Sequence, residues 1–207
     1  LPWLTIRING NDQLTGAGHA VAVLLLMLLC WINLNGVRSL ARWIDGLTWW
    51  KLMVPVGIAL TLMLISRHWG NLQLPVGGTQ GADVVKAVGS GGVLFSLLGF
   101  RTAMDLAGEA RKPARDVPLA MWLGLGICLA IYVLLQLSFL VSVPPENLTN
   151  GWHSLSLAAH GGPIVALAMG VGLTWMVNLL LIDAVVSPGA TALTYVGVSA
   201  RISWMMG

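Results

Sequence analysis

An apolar run that opens at Gly92 as if to cross a bilayer (GVLFSLLGF) is cut at Gly99, meets Arg101, Asp105 and Glu109, and ends in the basic turn ARKPARDVP. A helix in hydrocarbon must satisfy its own backbone and tolerates few charges. Glycine and ionisable residues in mid-run therefore mark backbone that lines a cavity. Membrane carriers build binding sites from discontinuous helices of this kind.

The rest of the chain supports a membrane setting. Of its 207 residues, 57% are hydrophobic and 9% charged, and the mean hydropathy is +0.81, beyond the range of ordinary soluble domains. The net charge of +3 is spread between apolar runs and forms no basic stripe, which argues against nucleic acid as a partner. Cys30 and Cys128 lie inside apolar runs, where a thiol packs as a small hydrophobe, and His19, His68, His153 and His160 lack metal-ligand spacing. No metal or other cofactor is expected. There is no Ser-His-Asp order, no CxxC and no GxxxxGK[ST], and Gly89-Ser90-Gly91-Gly92 lacks the preceding strand of a nucleotide loop. An enzyme or an ATP-driven pump is disfavoured. The chain opens Leu-Pro-Trp and closes soon after an apolar stretch, and it is expected to be a fragment of a longer protein.

A membrane span needs about 20 apolar residues. Residues 16–34 form the first expected span and 46–66 the second, with Lys51 and Pro55 inside it. The broken third lies at 88–108, and 118–141 is the fourth, with Pro118 suited to a first helical turn. Residues 164–200 would measure about 55 Å as one helix, too long for a core of about 30 Å. The expected division is an outer helix at 163–176 and a span at 177–203, bent near Pro188-Gly189. The turns at 35–46 and 108–117 carry Arg38, Arg42, Arg111, Lys112 and Arg115, whereas residues 143–162 carry no Lys or Arg, which places those turns in the cytoplasm. Asn147-Leu148-Thr149 forms a glycosylation triplet on the outer side, a pattern common by chance.

Several residues could carry chemistry, each with a plainer alternative. Gly99 either lets helices approach closely or opens the backbone. Arg101 needs a partner or water inside a membrane. Asp105, four residues on, provides a local ion pair, unless Arg101 faces an aqueous path instead. Lys51 either snorkels to the interface or is held in the bundle as a fixed or titrating cation. Asp183, Ser187, Thr191 and Thr194 share one stripe of the last span, suited to interhelical hydrogen bonds or to an ion or substrate path.

The segment FSLLGFRTAMDLAGEARKPARDVPLAM resembles the sixth helix and following turn of the amino acid, polyamine and organocation permease superfamily, over about 27 positions. INLNGVRSLARWIDGLTWWKLMVPV is similar to that superfamily's turn between its fourth and fifth helices, and DAVVSPGATALTYVGVSARISWMM to its eighth helix. The resemblance covers the chain from just before the fourth helix to the end of the eighth. It departs from the pattern at Arg101, where an acid is usual, and at Gly108, which replaces the first of two glutamates. These departures put the usual gating and proton-sensing chemistry in doubt.

The resemblance implies an all-α integral membrane protein, part of an inverted-repeat transporter fold of the leucine-transporter type with a discontinuous helix near 97–101. It also implies a secondary permease for amino acids or related organic cations, multi-pass in the plasma membrane and coupled to protons. Substrate would sit against Phe95, Ser96, Leu97, Leu98, Gly99 and Phe100. Gating or ion coupling would fall to Lys51, Arg101, Asp105, Asp183 and Thr191, with the Lys51 amine directed toward Thr191. The alternative is a membrane sensor or assembly subunit that keeps the fold and moves nothing.

Overall fold

The computed structural model describes residues 5–8, 11–35, 37–73, 81–90, 93–105, 107–148, 151–152, 155, 157 and 162–206. Strands β1 (Thr5–Ile8) and β2 (Asn11–Leu14) pair as an antiparallel hairpin, with Thr5 opposite Leu14. Among the described residues eight α-helices follow: α1 (Gly16–Leu34), α2 (Val37–Ser66), α3 (Gly81–Ser90), α4 (Val93–Ser96), α5 (Thr102–Asp105), α6 (Pro113–Ser142), α7 (Pro163–Gly170) and α8 (Thr174–Met206). Apart from the hairpin, the regular structure among the described residues is helical. Among the described residues, four helices are long and apolar enough to cross a membrane, within Gly16–Leu34, Ser39–Ser66, Pro113–Ser142 and Thr174–Ser203. Their outward residues are large and apolar, with Trp122 75% and Val185 74% exposed, as suits side chains that meet lipid tails.

Local chemistry explains where several helices begin and end. Thr15 caps α1 by accepting the Gly18 N–H at 3.1 Å. The α2 helix starts at Val37, so Arg42 and Asp45 lie in its first turns and not in a loop. The stretch VRSLARWI contains no helix breaker, and the span simply continues into it. The α6 helix starts at Pro113, five residues before the expected start at Pro118, because Pro113 also suits a first helical turn. Pro118 sits one turn inside, and its ring withholds an N–H from Ala114. The outer segment is a two-turn helix, α7, closed by a Schellman motif. There the Leu173 N–H reaches Ala168 O at 2.9 Å, the Gly172 N–H reaches Met169 O at 3.0 Å, and Gly172 adopts φ +77°. The α8 helix then runs through Pro188 without interruption.

The chain forms two compact units, Leu1–Thr48 with Ser187–Gly207, and Trp49–Val186, and both α2 and α8 continue from one unit into the other. In the first unit, α8 approaches α2 and α1 closely at Gly197. A Cβ there would stand 3.1 Å from Leu40 Cδ2 and 3.0 Å from Arg201 Nη1.

In the second unit, α2, α7 and α8 share a core of Val54, Ile58, Leu62, Val165, Ala168, Met176 and Val177. The α2 members recur at intervals of four, so one face of that helix supplies them. A smaller cluster of Val143, Leu148 and Leu167 adjoins the end of α6. The end of α2 is fastened there by polar bonds. Arg67 takes a left-handed φ of 48°, the His68 N–H reaches Val141 O at 3.2 Å, and Asn71 Nδ2 donates to Leu140 O at 2.9 Å and Val143 O at 2.8 Å. Asn71 is 4% exposed and supplies donors to carbonyls that the terminus of α6 leaves unsatisfied.

Candidate functional site

The third apolar run is discontinuous. Helix α4 ends at Ser96, Leu97 forms a turn, a 3-10 segment covers Leu98–Arg101, and helix resumes for one turn at α5. The Leu97 N–H bonds Leu94 O at 3.2 Å, and Ser96 Oγ turns back to Val93 O at 2.7 Å. Both are three-residue contacts that tighten the turn at the expense of the α-helical ladder. A Cβ at Gly99 would meet nothing within 4 Å, so glycine is not required there by close packing. Its contribution is the weakness it gives to a helix, roughly 1 kcal/mol relative to alanine.

Among the described residues, one long-range hydrogen bond reaches the break. Tyr132 Oη, from α6, donates to the Ser96 main-chain oxygen at 3.1 Å. Between the two elements lies a cavity of about 220 Å³. Its walls are Ser96, Gly99 and Ala103 on the broken run and Ala120, Gly124 and Cys128 on α6, with Leu97, Met121 and Leu125 completing it. The α6 residues recur every fourth position, so the space results from one stripe of small side chains.

Of the expected substrate residues, Phe95, Ser96, Leu97, Leu98 and Gly99 thus lie along the break, and Phe95 is 75% exposed. The side chains of Phe100, Arg101 and Glu109 lie outside the described residues, as does that of Arg38. Asp105 ends α5 with an exposed side chain.

The residues expected to serve ion coupling fall elsewhere. Lys51 and Asp183 belong to the second unit and Thr191 to the first. Lys51 is within electrostatic reach of the Asp183 carboxylate. Beside it, Trp50 Nε1 donates to Asp183 Oδ1 at 2.9 Å, a bond between residues 133 positions apart. Thr191 Oγ1 donates to Ser187 O at 3.2 Å and Thr194 Oγ1 to Ala190 O at 3.0 Å, so both hydroxyls bond within their own helix.

At the opposite end of α2, Ser66 Oγ, His68 Nδ1 and Ser142 Oγ are buried with no hydrogen-bond partner among the described residues. Their residues ring a cavity of about 360 Å³ with Pro144, Asn147 and Gly170. Among the described residues, no cluster of His, Cys, Asp or Glu could hold a metal ion.

Trp50, Asn71 and Tyr132 escaped the reading of the sequence. For Trp50 a signal was present, because an indole N–H inside a membrane needs an acceptor and Trp50 directly precedes a charged residue. For Asn71 and Tyr132 the partners are backbone oxygens far along the chain, which no local pattern reveals.

The profile of the family described as "Amino acid permease" matches residues 5–207. The chain belongs to this amino acid permease family. Relatives include the glutamate/serine transporter AimA of Bacillus subtilis, 31% identical over 99% of this chain and 39% of that protein. The aspartate-proton symporter of the same organism is 29% identical over 97% of this chain and 38% of that protein. The vacuolar cationic amino acid transporter 4 of Arabidopsis thaliana is 30% identical over 95% of this chain and 32% of its own length. The chain therefore spans under half the length of these relatives. No solved structure matches it significantly. As an amino acid permease family member with four apolar helices of membrane-spanning length, the protein is an integral membrane protein that crosses the bilayer more than once.

Proposed function

We propose that the chain is the part of a secondary amino acid permease that supplies one half of the substrate site. The observation that carries this reading is the discontinuity at residues 97–101 in a member of a permease family. Unwinding there gives main-chain carbonyls to an α-ammonium group, and the N–H groups of the next helical turn face a carboxylate. Phe95, Leu98 and Phe100 shape the pocket around Ser96, Leu97 and Gly99. Arg101 and Asp105 gate it. Lys51 is the cation of the coupling site, in an inverted-repeat fold whose eighth helix carries Thr191. The names of the relatives, among them a proton symporter, support amino acids as substrates and protons as the coupling ion. Similarity to bacterial carriers supports the plasma membrane as its location, with the basic turns in the cytoplasm. No covalent chemistry is involved.

The test uses the full-length protein that contains this chain, reconstituted in liposomes. An imposed inward proton gradient should drive accumulation of an amino acid. Ser96→Cys, made with Cys30 and Cys128 replaced by serine, should react with a polar maleimide and be shielded by the transported amino acid. Binding without accumulation under any proton or sodium gradient would identify a sensor instead. Labelling at position 96 that no amino acid slows would remove the break from the substrate site.

A further inference from the structure

Three helices end at one cavity. The final residues of α2, α6 and α7 are Ser66, Ser142 and Gly170, and all three line the space of about 360 Å³ at the end of α2. The last-turn carbonyls of each helix carry the negative end of its dipole, so the three ends together set up a potential that favours a cation. The polar groups at the same wall are of a matching kind. Ser66 Oγ, His68 Nδ1 and Ser142 Oγ are buried with no hydrogen-bond partner among the described residues, Ser142 is 1% exposed, and Asn147 adds an amide. A buried polar group without a partner is costly, and a serine reaches a new one by a single rotation about χ1. Among the described residues, no Lys, Arg, Asp or Glu lines the cavity. The neighbours in sequence, Arg67 and Glu146, are exposed, and Arg67 Nε turns back to Leu64 O at 2.8 Å.

We propose that this cavity is a binding site for a small organic molecule that carries a primary ammonium group on an apolar body. It is separate from the break. Ser142 lies about 21 Å along α6 from Cys128, which lines the cavity beside the break, at 1.5 Å per residue. An ammonium has three N–H donors and no acceptor. The two serine oxygens, the Asn147 amide oxygen and His68 Nδ1, when the ring proton is on Nε2, are acceptors for them. The rest of the wall is apolar, with Ile65, Leu157, Leu167 and Val171 to cover a short alkyl chain. The volume belongs to the low end of small-molecule pockets and exceeds what a bare metal ion fills. The same helix ends disfavour a carboxylate, so an amine suits the site better than an amino acid zwitterion. This site goes beyond the substrate site proposed above and does not depend on it. With the basic turns in the cytoplasm, it lies on the outer side.

Calorimetric titration of the full-length protein in detergent tests this, with n-butylammonium as the probe. It should bind saturably. As competitors of bound butylammonium, 1-butanol and leucine should be at least 10-fold weaker and butyrate inactive. Ser142→Ala should weaken butylammonium at least 10-fold, because it removes a hydrogen bond to a charged group. Without amine, the same variant should keep or raise its unfolding temperature, since a methyl replaces a buried hydroxyl that has no partner. A Cβ at Gly170 meets nothing within 4 Å, so a side chain can start there without a clash, and Gly170→Leu should abolish the binding. Displacement of butylammonium by phosphatidylethanolamine but not by phosphatidylcholine would name a lipid headgroup as the source of the ammonium, and failure to displace it a dissolved amine. Either result upholds the site. The proposal is overturned if butylammonium does not bind, if 1-butanol or leucine competes as an equal, or if affinity is unchanged in either variant. A lower unfolding temperature in Ser142→Ala overturns it as well, because the hydroxyl would then have a structural partner.

Discussion

The second unit contains two regions of opposite character. Where α2 ends against α6 and α7, Val141 and Val143 are wholly buried, Leu62 is 1% exposed, and the side chain of a buried asparagine donates to a main-chain oxygen 69 residues away. Around the break, Leu94 is 58% and Phe95 75% exposed, no helix exceeds one turn, and one tyrosine provides the long-range bond. The first region behaves as a scaffold with a single well-packed arrangement. The second holds its shape through few interactions, as segments that must open and close around a ligand do. Matched substitutions in the two should therefore give very unequal results.

The largest effect is expected at Asn71→Ala, which removes the Asn71 donor from the part-buried Leu140 carbonyl and the buried Val143 carbonyl. A loss of about 3 kcal/mol, at 1–3 kcal/mol per stranded group, should appear in thermal unfolding of the detergent-solubilised protein. Leu62→Ala should cost about 2 kcal/mol in the same assay. Lipid is as apolar as the core, so the penalty is chiefly lost packing around a cavity and falls toward the low end of that seen in water-soluble proteins. The contrasting truncation, Phe95→Ala, should change unfolding by no more than about 0.5 kcal/mol. Any effect there belongs in transport, and equal losses at Leu62 and Phe95 would break the distinction between the two regions.

Gly172→Ala, which puts a side chain at a left-handed φ in the Schellman turn, should cost about 1 kcal/mol. Its effect should be confined to the scaffold side, without change in the labelling of Ser96→Cys. A change of about 0.5–1 kcal/mol, no larger than that at Gly172, is expected at Tyr132→Phe, which removes one exposed hydrogen bond. Faster hydrogen exchange at the amides of Leu97 and Gly99 should accompany it, and unchanged exchange would mean that the bond does not hold the break.

What was legible in the sequence followed from strong local chemistry. The apolar length of α1 and the interruption at Gly99, with charges close behind, each stand out within a dozen residues. The expected start of α6 at Pro118 is five residues late because Pro113 is an equally acceptable first-turn residue and the intervening helix formers extend the helix back to it. The extension of α2 back to Val37 was hidden because arginines near a span end serve a turn and a helix equally well. The sites were harder still. Asp183 stood out as a charge in an apolar run, but its donor lies 133 residues away on another helix. The role of Asn71 depends on which helix end folds over it. Such partners are consequences of packing, and a single sequence with no record of paired changes does not contain them.

Prolines in the two longest shared helices carry a mechanical consequence. Pro55 has no N–H to extend toward residue 51, and Pro188 has none to extend toward residue 184. Each helix thus lacks one rung of its ladder, in α2 at Lys51 and in α8 next to Asp183. A rod with a missing rung has its lowest bending stiffness at that point. The compliance of both helices is therefore greatest at the level of the charged pair. Each helix therefore bends more readily at this level than α2 does at its asparagine-fastened end.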